Sequence, residues 1–145
     1  EFRRVLFRSL QSMLEADFAG QFSSVSLAIQ PEAAQRAREI PLYINEALFF
    51  AARELIRNAS SHGRGEEQNR NLCLWVNFTL QDGLHLLIED NGIGYDPERE
   101  ATPESDRGGG NGLRIHSAIL AAVGASLEVT GRPEGGTRAV ITVYS

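Results

Sequence analysis

One short segment combines an apolar run, an acidic residue and a glycine turn. Residues 84–88 have the length and composition of a buried strand, and residues 89–94 read Glu-Asp-Asn-Gly-Ile-Gly. Gly92 and Gly94 tolerate positive φ and let the backbone approach a ligand closely, because glycine has no Cβ. Asp90, at the end of a rigid strand beside such a turn, suits recognition of a small polar ring such as a nucleobase. An ordinary Asp-Asn-Gly turn is the alternative.

A second segment, Tyr43 to Ser61, repeats apolar residues at helical spacing. Glu54, Asn58 and His62 recur every four residues, so this helix would carry them on one face. The amide oxygen of Asn58 is a ligand that Mg²⁺ accepts beside phosphate groups, although a solvated polar face is the alternative. The apolar stripe of the same helix consists of Leu48, Phe49, Ala52, Leu55, Ile56 and Ala59.

Two further glycine clusters each precede a regular pattern. Residues 107–112 lead into a helical pattern, and the free N–H groups at such a helix start can bind an anion. The helix dipole adds only roughly 0.3–1 kcal/mol at an exposed end, so the N–H donors matter more. Residues 135–137, Gly-Gly-Thr, open the last strand pattern. The apolar members of the helical pattern are Leu113, Ile115, Ile119, Leu120 and Val123.

Strand and helix patterns alternate unevenly along the chain, which indicates an α+β two-layer sandwich. Residues 96–110 are polar, contain two prolines and have no apolar anchor, so they form the candidate lid over a ligand. Residues 31–41 are compatible with a helix or a loop. The patterns predict helices at residues 10–22, 43–61 and 113–123, and strands at residues 24–30, 72–80, 84–88, 127–130 and 137–144.

Composition excludes several classes of site. The chain has 145 residues, a formal net charge of −5 and no lysine. Without lysine, neither a Walker A loop nor the strand lysine of a serine/threonine/tyrosine protein kinase can be present. The negative charge disfavours a nucleic-acid groove, and no apolar run approaches the ~20 residues of a membrane helix. The single cysteine, Cys73, rules out a disulfide within the chain.

Together these segments resemble the GHKL ATPase family, which comprises gyrase-type, Hsp90-type, histidine kinase and MutL-type ATP-binding domains. Residues 54–62 resemble the N box, residues 90–94 the first glycine box, residues 108–113 the second, and residues 135–137 the terminal Gly-Gly-Thr. The short lid is most similar to that of bacterial sensor histidine kinases, especially their nitrate-sensor-like branch. The resemblance implies a Bergerat-type two-layer α/β sandwich with a mixed, mostly antiparallel sheet.

The resemblance also implies a role for each motif residue. Asp90 would accept the exocyclic amine of adenine, and Thr137 would complete the adenine pocket. Asn58 and Glu54 would hold Mg²⁺, and Glu54 would also act in catalysis, either placing the metal or serving as a base. The ATP-binding residues that the resemblance implies are Asn58, His62, Asp90, Gly92, Gly94, Gly108, Gly110, Gly112, Leu113 and Thr137.

The implied activity is an ATP-dependent protein-histidine kinase that transfers the γ-phosphoryl group to a histidine on a separate dimerisation segment. A response regulator would be the next partner, and the full-length protein would be a cytoplasmic or membrane-anchored homodimer. No nucleic acid and no membrane contact by this segment are expected. Residues 1–22 are expected to be a leader or helix left from an upstream stem, and residues 23–145 the ATP-binding catalytic domain.

One position departs from the pattern of this family. Many of its kinases carry lysine or arginine three residues after the N-box asparagine, where this chain has Ser61. A phosphate contact would then be missing. Ser61 and the absence of lysine keep open a non-catalytic nucleotide-sensing module. An anti-sigma-factor-type serine kinase of the same fold is a further alternative.

Overall fold

The computed structural model describes residues 5–94 and 110–144. Within these two ranges, no helix is both long and apolar enough to cross a membrane. The helices are α1 (Val5–Asp17), α2 (Pro31–Glu39), α3 (Leu42–His62) and α4 (Gly110–Ala122), and the strands are β1 (Ser24–Ile29), β2 (Cys73–Leu80), β3 (Leu84–Asp90), β4 (Ala125–Gly131) and β5 (Thr137–Val143).

The five strands form one mixed sheet in the order β1-β2-β3-β5-β4. β1 pairs with β2 in parallel, and the other three pairs are antiparallel. β2 and β3 form the predicted hairpin, in which Asp82 and Gly83 both adopt positive φ. The α+β two-layer architecture with a mostly antiparallel sheet is therefore confirmed.

The core lies between one face of the sheet and the helices. Alternate residues of the central strands point to this face, as the period of two along a strand requires. Residues on the opposite face of β2 and β3 are only half-buried. The buried apolar residues of β2, β3 and β5 are Leu74, Val76, Phe78, Leu84, Leu86, Ile88, Ala139, Ile141 and Val143.

Helix α3 is the central helix of this layer, since it contacts α1, α4 and β3. Five of the six residues in its predicted apolar stripe are buried, and the sixth, Phe49, is half-buried against the core. The burial of one face leaves Glu54 and Asn58 on the less buried side, where they can serve a site.

The N-terminal helix starts earlier than predicted, at Val5 instead of Leu10. Leu6, Leu10 and Met13 are buried in the same core cluster as the sheet, and the ring of Phe7 lies 5.9 Å from that of Phe78. The arginines among the first nine residues obscured this apolar spacing. The helix ends at Asp17, before Gly20 adopts a positive φ of 76°.

The apolar stripe predicted for α4 is partly wrong. Leu120 is fully buried, but Ile115 and Ile119 are 57% and 43% exposed. The helix packs mainly against α3 and the edge strand β4, so only a narrow stripe of the surface of α4 is buried. Leu113 and Val123 complete that stripe with Leu120.

We expect Leu120→Ala to lower the free energy of unfolding by about 2–5 kcal/mol, because it opens a cavity between α4 and the core. Ile115→Ala is the matched control, and it should change the same quantity by under about 1 kcal/mol, since this side chain is 57% exposed. Urea unfolding followed by circular dichroism measures both. Equal losses for the two variants would contradict the observed face of α4.

Candidate functional site

Asp90 lies at the end of β3, where the sheet meets the following turn. The residue is 7% exposed, and its Oδ1 accepts a hydrogen bond from the backbone N–H of Gly92 at 2.8 Å. In the ladder between β3 and β5, Asp90 is the register partner of Thr137. The structure thus joins the strand-end acid to the Gly-Gly-Thr segment that lies far away in sequence.

The carboxylate of Asp90 is held in an unfavourable environment for a charge. Burial raises its pKa above the ordinary value of 3.8, while the hydrogen bonds from Gly92 and Thr137 and the charges of Arg132 and Arg70 oppose this rise. Among the residues that the structure describes, Asp90 forms no ion pair. The effect of burial on this pKa exceeds the combined effect of the hydrogen bonds and the arginine charges. A buried acid in such an environment is a candidate ligand-binding group.

At Gly92, the backbone of the turn after β3 packs closely against the end of α3. A Cβ on Gly92 would lie 2.6 Å from the carbonyl oxygen of Gly63 and 2.7 Å from its Cα, so only glycine permits this approach. The N–H of Ile93 donates to the same carbonyl at 2.9 Å. The turn is therefore fixed beside the last turn of α3.

Gly136 makes a second backbone contact, with the strand end itself. Its φ is 102°, and a Cβ there would overlap the carbonyl oxygen of Asp90 and lie 2.8 Å from the Cα of Asn91. Both the conformation and the space require glycine. Gly135 has nearly the same φ, 101°, but has no atom within 4 Å of a Cβ position.

Glu54 marks the opposite end of the polar face of α3. A Cβ on Gly112 would lie 2.6 Å from the Oε2 of Glu54, so the first turn of α4 rests on this carboxylate. The Glu54 side chain is 12% exposed and lies 3.4 Å from the Arg57 guanidinium. Half-buried Asn58 follows one turn later, between the Gly112 and Gly63 contacts, which are about 13 Å apart along the helix axis.

His62 and Ser61 are exposed and line a pocket of about 490 Å³ beside the Gly92 turn. Ile93, 47% exposed, forms part of the same wall. The other lining residues are Arg64, Gly65, Glu66, Glu67 and Arg70.

Arg70 and Arg132 were not identified from the sequence. Arg70 Nη2 donates to the carbonyls of Asn91 and Gly92 at 3.3 and 3.2 Å. Arg132 Nη1 donates to the carbonyl of Asp90 at 3.2 Å. Both arginines bind backbone atoms, so no sequence motif identifies their partners.

The predicted site residues fall into two groups on the described part of the chain. Asp90, Gly92, Gly94 and Thr137 lie together at the end of β3, with His62 on the adjoining pocket. Glu54 and Gly112 meet at the start of α4, with Asn58 between the groups. Gly110 and Leu113 lie in the first turns of α4, where the Leu113 side chain packs against the core and leaves only its backbone to a ligand. Gly108 and the other residues of 95–109 lie outside the described residues. Of the candidate lid, residues 96–110, the structure therefore describes only Gly110.

The oxygens of Asn58 and Glu54 fit the needs of Mg²⁺. They lie one turn apart on the same face of α3, and Mg²⁺ bound beside phosphates takes only one or two protein oxygens. Glu54 is also close to the free N–H groups at the start of α4. The two residues are therefore suited to a metal that bridges this helix and a phosphate chain.

A family model matches most of this chain. Residues 44–144 match the family model described as histidine kinase-, DNA gyrase B- and HSP90-like ATPases. None of the curated proteins matches the chain significantly in sequence.

Solved structures share the fold. The histidine kinase domain of the Erythrobacter litoralis EL346 blue-light activated histidine kinase has a TM-score of 0.70 and 21% identity, and the match covers 98% of this chain and 64% of that one. The match covers only 39% of the longer structure of the same kinase. The ThkA histidine kinase catalytic domain (TM-score 0.64, 14% identity, 96% and 89% covered) and the ATP binding domain of PrrB from Mycobacterium tuberculosis (0.60, 21%, 97% and 91%) are also similar.

We expect Gly136→Ala to disrupt the strand end, because its Cβ would overlap the Asp90 carbonyl in addition to straining the backbone. Gly135→Ala is the matched control, since it has the same φ and no neighbour, and it should cost only the strain of roughly 1–2 kcal/mol. Thermal unfolding and the amide NMR signals of Gly92 and Thr137 measure the difference. Equal effects of the two substitutions would mean that Gly136 does not support Asp90.

Proposed function

Because this chain belongs to the family of histidine kinase-, DNA gyrase B- and HSP90-like ATPases, we propose that it is the ATP-binding catalytic domain of a sensor histidine kinase. The observation that carries the proposal is the buried carboxylate of Asp90, set between the Gly92 turn and Thr137. A ligand that donates a hydrogen bond to this carboxylate would compensate for the burial that raises its pKa.

At this end of the site, Asp90 would bind the adenine ring. Its ionised carboxylate would accept a hydrogen bond from the exocyclic amine, and burial would strengthen that bond relative to water. Gly92 and Gly94 would let the ring lie close to the backbone, and Ile93 would offer an apolar contact. The pocket beside His62 would hold the sugar and the first phosphate.

At the other end, the start of α4 would receive the phosphates. The backbone N–H groups of the first turn, including those of Gly112 and Leu113, have no partner within the helix and would donate to phosphate oxygens. Asn58 and Glu54 would hold Mg²⁺, which would neutralise part of the charge on the phosphate chain. Arg57 would keep the Glu54 carboxylate oriented through their 3.4 Å contact.

In the reaction, a nitrogen of an acceptor imidazole would attack the γ-phosphorus while the bond to the β–γ bridging oxygen breaks and ADP leaves. The chain mostly aligns these groups, as in other phosphoryl transfers. None of the three histidines of this chain, His62, His85 and His116, is followed by the acidic residue that commonly follows the acceptor in this family. We infer that the acceptor lies on a separate dimerisation stem of a cytoplasmic or membrane-anchored homodimer, from which a response regulator takes the phosphoryl group.

One observation favours a second candidate, a nucleotide-binding module without kinase activity. Ser61 stands on the pocket wall where many kinases of this kind carry a cation. The guanidinium groups of Arg64 and Arg70, which line the same pocket, donate to backbone carbonyls. A phosphoryl-transfer assay separates the two candidates.

We expect Asp90→Asn to weaken ATP binding about 10- to 150-fold, because it removes a hydrogen bond to a charged acceptor that is worth roughly 1.5–3 kcal/mol. Isothermal titration of the wild type and the variant, with and without Mg²⁺, measures this loss. Glu128→Gln, at an exposed position of the edge strand β4, is the matched control and should bind ATP almost normally. Equal binding by wild type and Asp90→Asn would refute the assignment of the pocket.

We also expect the wild type to transfer ³²P from γ-labelled ATP to a supplied histidine-bearing helical stem, with acid-labile and base-stable product. Asn58→Ala should abolish most of this transfer, since the metal would lose its amide ligand. ATP binding without Mg²⁺ should stay within about twofold of wild type in this variant. ATP binding without any transfer by the wild type would favour the non-catalytic module, and transfer to serine would favour the serine kinase.

A further inference from the structure

Arg132 is the first residue after β4, and its side chain lies beside the end of β3, where Asp90 is located. It is only 13% exposed, and its guanidinium carbon lies 4.6 Å from the ring centre of Trp75. Its Nε and Nη2 are each 3.0 Å from a carboxylate oxygen, of Glu89 and Glu134 respectively. The Nε contact is an ion pair without hydrogen-bond alignment. The guanidinium is therefore fixed on its sides by one ring and two acids.

The remaining nitrogen of this guanidinium joins two segments of the site. Nη1 donates to the carbonyl of Asp90 at 3.2 Å and to that of Gly135 at 3.3 Å. The backbone of Arg132 also closes the turn, since its N–H donates to Gly136 and its carbonyl accepts from Gly135, both at 3.0 Å. Arg132 thus connects the last peptide of β3 to the turn that precedes Thr137.

Arginine suits this position for a geometric reason. Its planar fork can stack on an aromatic ring and point several donors in fixed directions, whereas a lysine ammonium is a single point on a flexible stem. The same charge lies near the Asp90 carboxylate and opposes the rise in the pKa of that group that burial causes. Arg70 is the other cation that faces Asp90, from the loop before β2.

We propose that Arg132 is a positioning residue that holds the last peptide of β3, and with it the side chain of Asp90, in the orientation needed to bind the adenine base. The proposal rests on the proposed function, because it assumes that Asp90 binds the nucleotide. Arg132 itself touches only the backbone of Asp90 and would not contact the base.

The test measures ATP affinity by titration between neutral and mildly acidic pH for the wild type and for Arg132→Met, Arg132→Lys, Arg138→Met and Asp90→Asn. Arg138 is the matched control because it lies 4.0 Å from the same Glu89 carboxylate but is 47% exposed and does not bond to Asp90 in the described structure. Circular dichroism and thermal unfolding report whether each variant is folded.

We expect Arg132→Met to weaken ATP binding roughly tenfold at neutral pH. In the wild type, affinity falls as the pH drops through the pKa of Asp90, because the protonated acid loses acceptor capacity. Removing the Arg132 charge raises that pKa further, so the fall should begin at a higher pH in Arg132→Met. Arg132→Lys keeps the charge and should restore the pH profile but only part of the affinity, and Arg138→Met should match wild type.

Wild-type affinity and an unshifted pH profile in Arg132→Met, with binding lost in Asp90→Asn, would overturn this inference and leave the proposed function intact. Equal weakening by Arg132→Met and Arg138→Met, with no pH shift in either, would also overturn it. Should Arg132→Met not fold, Arg132→Lys decides, since wild-type affinity in that variant contradicts a positioning role. Equal ATP binding by wild type and Asp90→Asn would instead refute the proposed function itself.

Discussion

The close approach of backbone to backbone at Gly136 and Gly92 is the constraint on which the rest of the site depends. At the first position a Cβ would overlap the Asp90 carbonyl, and at the second it would lie 2.6 Å from the Gly63 carbonyl. These contacts hold the start of β5 and the end of α3 against the end of β3. At the start of α4, Gly112 makes a comparable close contact, but with the side chain of Glu54. Glycine is thus the residue present wherever these elements approach one another most closely, and the candidate site residues lie around those contacts.

The site combines a favourable scaffold with an unfavourable charge. Helix α3 is anchored by an apolar stripe in the core, which gives its polar face a fixed orientation. For Asp90, burial works against the ionised form and outweighs the Gly92 hydrogen bond and the nearby arginine charges, so its pKa is raised. Binding sites commonly keep a group in this state, since its unused capacity is satisfied by the ligand. The apolar core thus supplies the free energy of folding that offsets the burial of the ionised Asp90 carboxylate.

The sequence was informative where a period or a motif reports directly on structure. Apolar spacing predicted α3 and the central strands, because each of them buries one face against the core. The glycine clusters predicted where Asp90, Gly112 and Thr137 would lie. The exposure of Ile115 and Ile119 was not predictable, since it depends on how much of α4 the edge of the sheet covers. The bonds of Arg70 and Arg132 were equally hidden, because carbonyl acceptors are present at every residue and leave no compositional signal.

The parallel pairing of β1 with β2 has a consequence for the order in which the chain assembles. β2 and β3 are joined by a short turn and can pair locally, but Ser24 meets Cys73 only after the chain has passed through α2 and α3. Closing so long a loop loses chain entropy before any contact repays it, which slows folding. The pairing of β3 with β5 also closes a long stretch of chain, since Asp90 meets Thr137 only after α4 and β4. The nascent hairpin is therefore expected to present two open edges until the helices bring β1 and β5 to them.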